Sequence, residues 1–109
     1  MAVINLMEQS GTQMLGTRPT ARAMVPAIRD ALESGCITMD TSGIRRISVS
    51  FFDESLLILN ELMIELGNND LRLVYHKGPQ PESLKNLAAN RGLTVSESSS
   101  GDWIITRKQ

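Results

Sequence analysis

The residues best suited to chemistry are two serines and two acids at the start of one long apolar segment. Ser48 and Ser50 precede this segment, and Asp53 and Glu54 follow within about one helical turn. A hydroxyl at a helix start meets unpaired backbone N–H groups and a dipole that favours negative charge. Ser50 is therefore either a helix N-cap, with Asp53 three residues on as in a capping box, or an acceptor for a phosphate.

The two acids allow three interpretations. In the first turn of a helix, acids are stabilised by the dipole alone. Because adjacent helical side chains point about 100° apart, the carboxylates of Asp53 and Glu54 do not converge readily on one substrate. We expect dipole partners first, a recognition edge beside Ser50 second, and acid–base catalysis last.

Three more charged residues are candidates outside this segment. Asp40 ends a predicted strand, where α/β proteins gather their sites, although an aspartate there also stabilises its own turn. Arg18 and Arg22 lie one turn apart on a predicted helix. Exposed ion pairs with acids suit them best, and an anion or the acidic patch of a partner is the alternative.

Metal, cofactor and nucleophile sites do not assemble from this sequence. The chain has one cysteine, Cys36, and one histidine, His76, and it has neither a Walker sequence nor a Gly-rich phosphate loop. A Cys36/His76 nucleophile pair stays open, although thiols in buried strands are usually inert. We therefore expect no metal, no cofactor and no enzymatic activity.

Composition and charge exclude further classes. A net charge of -1 gives no basic field for nucleic acid. No apolar stretch reaches the roughly 18 residues of a membrane span. The first residues lack the basic and apolar regions of a signal peptide. The 109 residues fit a single domain over 1–109, which we expect in the cytoplasm.

Helices and strands must bring the candidate residues together. Short apolar runs predict strands at 3–7, 12–15, 36–39, 71–75, 93–95 and 103–106. The second of these strands is expected to form a hairpin with the first. Helical spacing predicts helices at 17–34, 51–66 and 81–91. Their alternation predicts an α/β layer fold with right-handed crossovers.

Two of the predicted helices have unusual features. Pro26 lies in the middle of the first, where it costs on the order of 3 kcal/mol, so we expect a kink. The alternative is a helix that starts at Pro26, for which Val25 is a poor N-cap. The second helix is apolar on nearly every side, which predicts that it is sandwiched or that it offers a face to a partner.

Three segments resemble the STAS-like domain family of uncharacterised bacterial proteins, which is related in fold to anti-sigma-factor antagonists. Residues 16–22 read Gly-Thr-Arg-Pro-Thr-Ala-Arg and are similar to its helix-opening stretch. Residues 37–44, Ile-Thr-Met-Asp-Thr-Ser-Gly-Ile, resemble its strand-Asp-x-x-Gly-Val segment, and residues 50–54, Ser-Phe-Phe-Asp-Glu, its Ser/Ala-Phe-Ala-Asp-Glu stretch. The resemblance implies a STAS-like single domain with a mixed β-sheet and about three helices packed against it.

The resemblance also implies a regulatory, non-catalytic function. Anti-sigma-factor antagonists carry Asp-Ser-Ser-Gly at this helix start, and a partner kinase phosphorylates the second serine. Here residues 48–51 read Ser-Val-Ser-Phe, so Ser50 alone matches and is the phosphoacceptor candidate. The implied partner is a histidine-kinase-like ATPase or an anti-sigma factor. The candidate partner contacts are Asp40, Ser48, Phe51, Asp53, Glu54, Arg18 and Arg22.

A second function stays open beside the first. The loops at the strand ends would hold a small anion or a nucleotide, or the apolar helix would mediate self-association as a homodimer. Neither version needs a phospho-switch. A small enzyme ranks third, because no nucleophile–base or metal constellation is visible.

Overall fold

The strands and helices of a computed structural model, which describes residues 2–76 and 83–107, alternate along the chain. The strands are β1 (Ala2–Asn5), β2 (Met14–Leu15), β3 (Cys36–Asp40), β4 (Arg46–Ile47), β5 (Arg72–Tyr75), β6 (Leu93–Glu97) and β7 (Trp103–Arg107). The helices are α1 (Leu6–Ser10), α2 (Arg18–Arg22), α3 (Val25–Leu32), α4 (Val49–Leu66) and α5 (Leu84–Asn90). This order is the α/β pattern that the sequence predicts.

The main sheet of the described residues has five strands in the order β1-β3-β5-β7-β6. β1, β3 and β5 run parallel, whereas β7 is antiparallel to both β5 and β6. Parallel neighbours need crossover connections, which the helices between these strands supply. The predicted α/β domain with a mixed sheet is confirmed. Its STAS-like form stays a prediction.

The apolar core lies on one face of this sheet. Ile37, Leu73 and Ile105 are register partners across β3, β5 and β7, and their exposed fractions are 0%, 2% and 0%. α3 packs over β1 and β3, and α5 lies beside β6. Because a slip of one residue would turn every side chain to the other face, burial of this row fixes the register of the central strands.

Helix α4 is buried on most of its sides. Phe51, Phe52 and Leu56 are at most 1% exposed. The ring of Phe52 packs at a tilt on Tyr75 of β5, with 5.2 Å between centroids, and α2 and α5 pack against other sides of the helix. A helix covered by the sheet and by two other helices needs apolar residues all round. This position explains the apolar pattern of the segment.

The predicted hairpin between residues 3–7 and 12–15 is wrong. The chain leaves β1 at Asn5, whose side chain accepts a hydrogen bond from the backbone N–H of Glu8 at 2.9 Å and caps α1. α1 ends at Ser10, and its C-cap Gly11 has a φ of 71°. β2 then pairs with β4 in a separate, parallel two-stranded sheet. The N-cap and the left-handed glycine favour a helical turn over an extended strand.

The kink expected at Pro26 is also wrong. α2 ends at Arg22, and α3 begins anew at Val25, so that Pro26 lies in the first turn of the second helix. In the first turn the backbone N–H has no intrahelical partner, and proline there loses no hydrogen bond. This arrangement is close to the alternative of a helix that starts at the proline. The break and the short α1 give five helices in the described residues instead of about three.

The carboxyl-terminal elements follow the sequence more closely. α5 and the strands β6 and β7 lie where they are predicted. The predicted start of the third helix at Pro81 and Glu82 lies outside the described residues. Among the described helices, none is both long and apolar enough to cross a membrane.

Candidate functional site

The start of α4 is capped by Ser48. Its hydroxyl accepts a hydrogen bond from the backbone N–H of Phe51 at 3.1 Å and donates one to the carbonyl of Gly16 at 3.0 Å. The prediction that Ser50 is the N-cap is therefore wrong, and so is its capping pair with Asp53. Burial of the two phenylalanines sets the helix register, which leaves Ser48 in the extended conformation of a cap.

Ser50 instead occupies the second helical position. It is half-buried, and its hydroxyl makes no hydrogen bond with any described residue. In a helix, residues three and four apart share one face, so Ser50, Asp53 and Glu54 lie on the same side of α4. Ser50 thus has a hydroxyl that bonds to no described residue and lies one helical turn away from the carboxylates of Asp53 and Glu54.

The carboxylate of Asp53 binds two arginines from two other parts of the chain. Arg91, which follows α5, donates from Nε and Nη2 at 3.0 and 2.7 Å. Arg18, the first residue of α2, donates from Nη1 at 3.0 Å. The contact with Arg91 is a fork of two parallel hydrogen bonds, the geometry that makes arginine–carboxylate pairs strong. Asp53 therefore joins both neighbouring helices to α4.

Glu54 and Glu61 extend these contacts along α4. The same Nη1 of Arg18 donates to Glu54 at 3.1 Å, and Nε of Arg22 donates to its other oxygen. Arg22 also donates to both oxygens of Glu61, at 2.6 and 3.0 Å. We call this set of residues the arginine–carboxylate cluster. It consists of Arg18, Arg22, Asp53, Glu54, Glu61 and Arg91.

Burial within the cluster is unequal. The side chains of Asp53 and Glu54 are 11% and 9% exposed, whereas those of Arg18, Arg22 and Arg91 are 47%, 39% and 34% exposed. The carboxylates of Asp53 and Glu54 lie beneath the guanidinium groups, whereas the Glu61 side chain is 50% exposed and lies beside Arg22. A molecule that approaches this surface meets the three arginines and Glu61 before it meets Asp53 or Glu54.

The arginines keep Asp53 and Glu61 ionised. Hydrogen bonds from Arg91, followed by those from Arg18, hold the pKa of Asp53 below its usual value, against the opposing effect of burial. The hydrogen bonds from Arg22 likewise lower the pKa of Glu61. A carboxylate that is occupied by guanidinium groups and has a lowered pKa is a poor proton donor or acceptor near neutral pH. The geometry therefore suits a structural or recognition role for these acids.

Asp40 belongs to a second group at the carboxyl edge of the parallel strands. It accepts from the backbone N–H and the hydroxyl of Ser42 at 2.9 and 2.6 Å, and from the side-chain amide of Asn5 at 3.3 Å. Nδ1 of His76 lies 3.5 Å away. The Ser42 hydrogen bonds are the main cause of the lowered pKa of Asp40. This group joins the ends of β1, β3 and β5, the edge at which α/β sheets bind ligands.

Cys36 and His76 do not form a nucleophile pair. Cys36 begins β3, whereas the backbone N–H of His76 bonds to the carbonyl of Met39 near the other end of that strand. Strand geometry separates the two ends by about 13 Å. The described residues also contain no group of three or more histidines, cysteines and acids that could hold a metal ion.

Phe51, a predicted partner contact, is 1% exposed and packs in the core, so its side chain is closed to a partner.

Sequence reasoning missed Glu61 and Arg91 altogether. Glu61 follows Asp53 and Glu54 at helical spacing along α4, a signal that could have identified it. Arg91 has only a weak signal, a basic residue before the glycine that ends a helix, and nothing local connects it to Asp53.

Comparison of the chain with family models, with curated proteins and with solved structures gives no match.

Proposed function

We propose that this chain is a non-catalytic regulatory module of the STAS-like type, which binds a protein partner and is switched by phosphorylation of Ser50. The partner class is a histidine-kinase-like ATPase or an anti-sigma factor. The single observation that carries the proposal is the state of Ser50. Ser50 is half-buried, and its hydroxyl makes no hydrogen bond with a described residue, because Ser48 already caps the helix.

The partner surface follows from the burial of the site. Arg18 and Arg22 expose close to half of their side chains, and Val49 at the start of α4 is 48% exposed. Asp53 and Glu54 lie behind the arginines and contribute by holding them in place. Because Arg22 is bonded to the exposed Glu61, the surface offered to a partner is basic mainly around Arg18, with an apolar margin, which suits an acidic group on that partner.

A phosphate on Ser50 would change this surface through Arg18. Phosphorylation adds a charge of about -1.5 to -2 within one turn of Asp53 and Glu54, which repel it. Free N–H groups at the helix start and the arginine attract it. Arg18 uses Nη1 for both carboxylates, and its other nitrogens bond to no described residue. We expect Arg18 to turn toward the phosphate, which removes an exposed cation from the partner surface.

The test compares three variants with the wild-type chain. Ser50→Glu supplies a permanent negative charge, Ser50→Ala removes only the hydroxyl, and Ser99→Glu is the matched control. Ser99 is an exposed serine in the connection between β6 and β7. Each chain is used to capture partners from its native cells, and the captured proteins are identified and then titrated in purified form.

A partner ATPase or anti-sigma protein that binds wild type, Ser50→Ala and Ser99→Glu but is lost with Ser50→Glu supports the switch. Incubation of that ATPase with ATP should then place a phosphate on Ser50 and on no site in Ser50→Ala. Equal affinity of all four chains for every captured partner would refute the role of Ser50.

A second candidate function is self-association without a switch. Ile64 and Leu66, in the last turn of α4, are 74% and 38% exposed, although the rest of that helix is largely covered. Exposed apolar residues at the end of a buried helix suit contact with a second copy of the chain. Sedimentation of wild type and Ile64→Lys distinguishes the two candidates. A dimer that the substitution dissociates favours self-association, and a monomer in both cases excludes it.

A further inference from the structure

One face of the main sheet is left uncovered by the described helices. The chain passes from β1 to β3, from β3 to β5 and from β5 to β6, each time in the same direction across the sheet and between parallel strands. Because such crossovers are right-handed in nearly all proteins, the connecting helices lie on the same face. Phe52 of α4 packs on Tyr75, which shares a face of β5 with the buried Leu73. The helices therefore cover the core face, and we call the opposite side the open face.

The exposure of the strand residues agrees with this placement. A row of side chains crosses the open face at mid-strand, where Val3 pairs with Thr38, Thr38 with Val74, and Val74 with Ile104. Thr38 is buried, but Val3 is 61% exposed, and Val74 and Ile104 are only half-buried. The neighbouring row on the core face, which includes Ile37, is at most 2% exposed. A helix layer over the open face would bury its row to the same extent.

An uncovered apolar row is unusual on parallel strands. Such strands are normally buried on both faces, whereas here β1, β3 and β5 are covered on one. Apolar side chains gain free energy when they leave water. The open face therefore favours a partner that covers its mid-strand row.

Opposite charges lie at the two edges of the open face. Arg72 is the register partner of Cys36, two residues before Thr38, and Asp40 lies two residues after Thr38. Because side chains alternate along a strand, Arg72 and Asp40 lie on the same face as Thr38. Arg72 is exposed and makes no ion pair with a described acid, and the Asp40 side chain is 22% exposed. The amino edge of this face is thus positive and its carboxyl edge negative.

We propose that two copies of this chain pack open face to open face, about a twofold axis that crosses the strands at right angles. This rotation reverses the strand direction, so the carboxyl edge of one copy lies over the amino edge of the other. Arg72 of each copy then faces Asp40 of the other, and the row from Val3 to Ile104 packs on itself. Packed sheets lie about 10 Å apart, which lets the side chains of both faces interdigitate.

Charge selects this orientation over the other twofold arrangement of two sheets. β5 is the central strand of the five. An axis along β5 would overlay the two faces equally well but would keep the strand direction. It would then place Arg72 of one copy against Arg72 of the other, and like charges so placed disfavour a complex. The arrangement with reversed strands replaces this repulsion by two attractive pairs.

The area of the open face predicts a weak dimer. Strands about 4.8 Å apart and about 16 Å long give a five-stranded sheet a flat face of roughly 300 Å². Stable complexes bury about 1,200 Å² or more in total, so this interface belongs to the transient class. We expect a dissociation constant of about 0.1–1 mM.

This surface is separate from both candidate functions described above. Arg18 and Ser50 belong to α2 and α4, in the layer that covers the core face, and Ile64 lies near the end of α4. The proposed dimer therefore does not depend on a phospho-switch. Ile64→Lys is the matched control, because it places a charge on an exposed apolar residue outside the open face.

The first test uses the wild-type chain alone. Sedimentation equilibrium and backbone amide NMR are recorded from about 10 μM to 1 mM, a range that spans the expected dissociation constant. The average mass is expected to rise toward that of a dimer. The amide signals of Val3, Val74 and Ile104 should shift with concentration, whereas those of Ile64 and Leu66 should not.

The second test exchanges the charges between two chains. Arg72→Glu and Asp40→Lys are each expected to weaken self-association about tenfold or more, because each places like charges together twice in the dimer. A mixture of the two variants should associate more tightly than either alone, since every pair across the interface is then attractive. Ile64→Lys should associate like wild type. Thermal unfolding shows whether each variant is folded.

Three outcomes would overturn the proposal. The first is a chain that stays monomeric at every concentration, which would leave the open face to a different protein. The second is a dimer that Ile64→Lys dissociates and Arg72→Glu does not. The third is a set of concentration-dependent signals confined to residues outside the open face. The wild-type signals and Arg72→Glu decide the matter even where Asp40→Lys fails to fold.

Discussion

Replacing Asp53 by asparagine is expected to destabilise the fold by about 2 kcal/mol at neutral pH. The substitution keeps the shape of the side chain and one acceptor oxygen but removes the charge. Three hydrogen bonds change, two from Arg91 at 3.0 and 2.7 Å and one from Arg18 at 3.0 Å. These contacts join α5 and α2 to α4, so their loss weakens the packing of two helices.

The magnitude follows from the burial of the partners. Removing one member of a buried ion pair costs about 3–5 kcal/mol, and an exposed pair is worth at most about 1 kcal/mol. The Asp53 side chain is 11% exposed, whereas those of Arg91 and Arg18 are 34% and 47% exposed and can regain water after the change. The expected loss therefore lies between the two limits. A loss of that size lowers the midpoint of thermal unfolding by roughly 10 °C.

The assay is urea unfolding of wild type and Asp53→Asn at a series of pH values. The pKa of Asp53 is lowered in the folded chain, mainly by Arg91, from its usual value of 3.8. The stability that the ion pairs contribute is thus fully present above that value and is lost as the pH falls through the folded pKa. Asparagine does not titrate, so the difference between the two chains should shrink in acid.

Asp30→Asn is the matched control, because Asp30 is an exposed acid on α3 without an ion pair to a described residue. It is expected to change stability by less than about 0.5 kcal/mol at any pH. A double-mutant cycle with Arg91→Gln should give a coupling energy of about 1 kcal/mol. If wild type and Asp53→Asn unfold with equal free energies at neutral pH, the ion-pair argument is refuted. It is also refuted if the difference between their free energies of unfolding stays unchanged in acid.

Four further predictions test other parts of the fold. Ser48→Ala removes the α4 cap and is expected to lower the free energy of urea unfolding by about 1 kcal/mol, whereas Ser50→Ala should leave it nearly unchanged. Equal losses in the two variants would contradict the assignment of the cap. Burial raises the pKa of Tyr75 to about 12, so the ultraviolet signal of its ionisation should be absent near pH 10 in the folded chain. The free energy of unfolding should fall as the pH rises above 10, the usual pKa of a tyrosine. Tyr75→Phe removes its hydrogen bond to Ser55 and is expected to cost about 1 kcal/mol by thermal unfolding; a stabilised variant would count against that bond. Gly43→Ala should lower the free energy of unfolding by at least about 1 kcal/mol in the same measurement, because the φ of Gly43 is 81° and the new methyl group meets the sulfur of Met7. An unchanged free energy of unfolding would show that the loop adapts.

Patterns within a few residues predicted most of the regular elements. The long helix, the strand around Leu73 and the two last strands follow from apolar spacing bounded by glycines. The same patterns failed where two local signals competed. Ser48 and Ser50 are both suitable N-caps. The burial of Phe51 sets the helix register in which Ser48 is the cap.

The sequence by itself determined the α/β class, the main elements and the position of Ser50 near the start of a helix, because each depends on side chains close together along the chain. Only the tertiary structure decided what those residues contact. Arg18 and Arg91 lie 35 and 38 residues from Asp53 in sequence, yet both bind its carboxylate. Such pairs form because helices and sheet pack against each other in layers. The spacing of residues along a single strand or helix does not predict that packing.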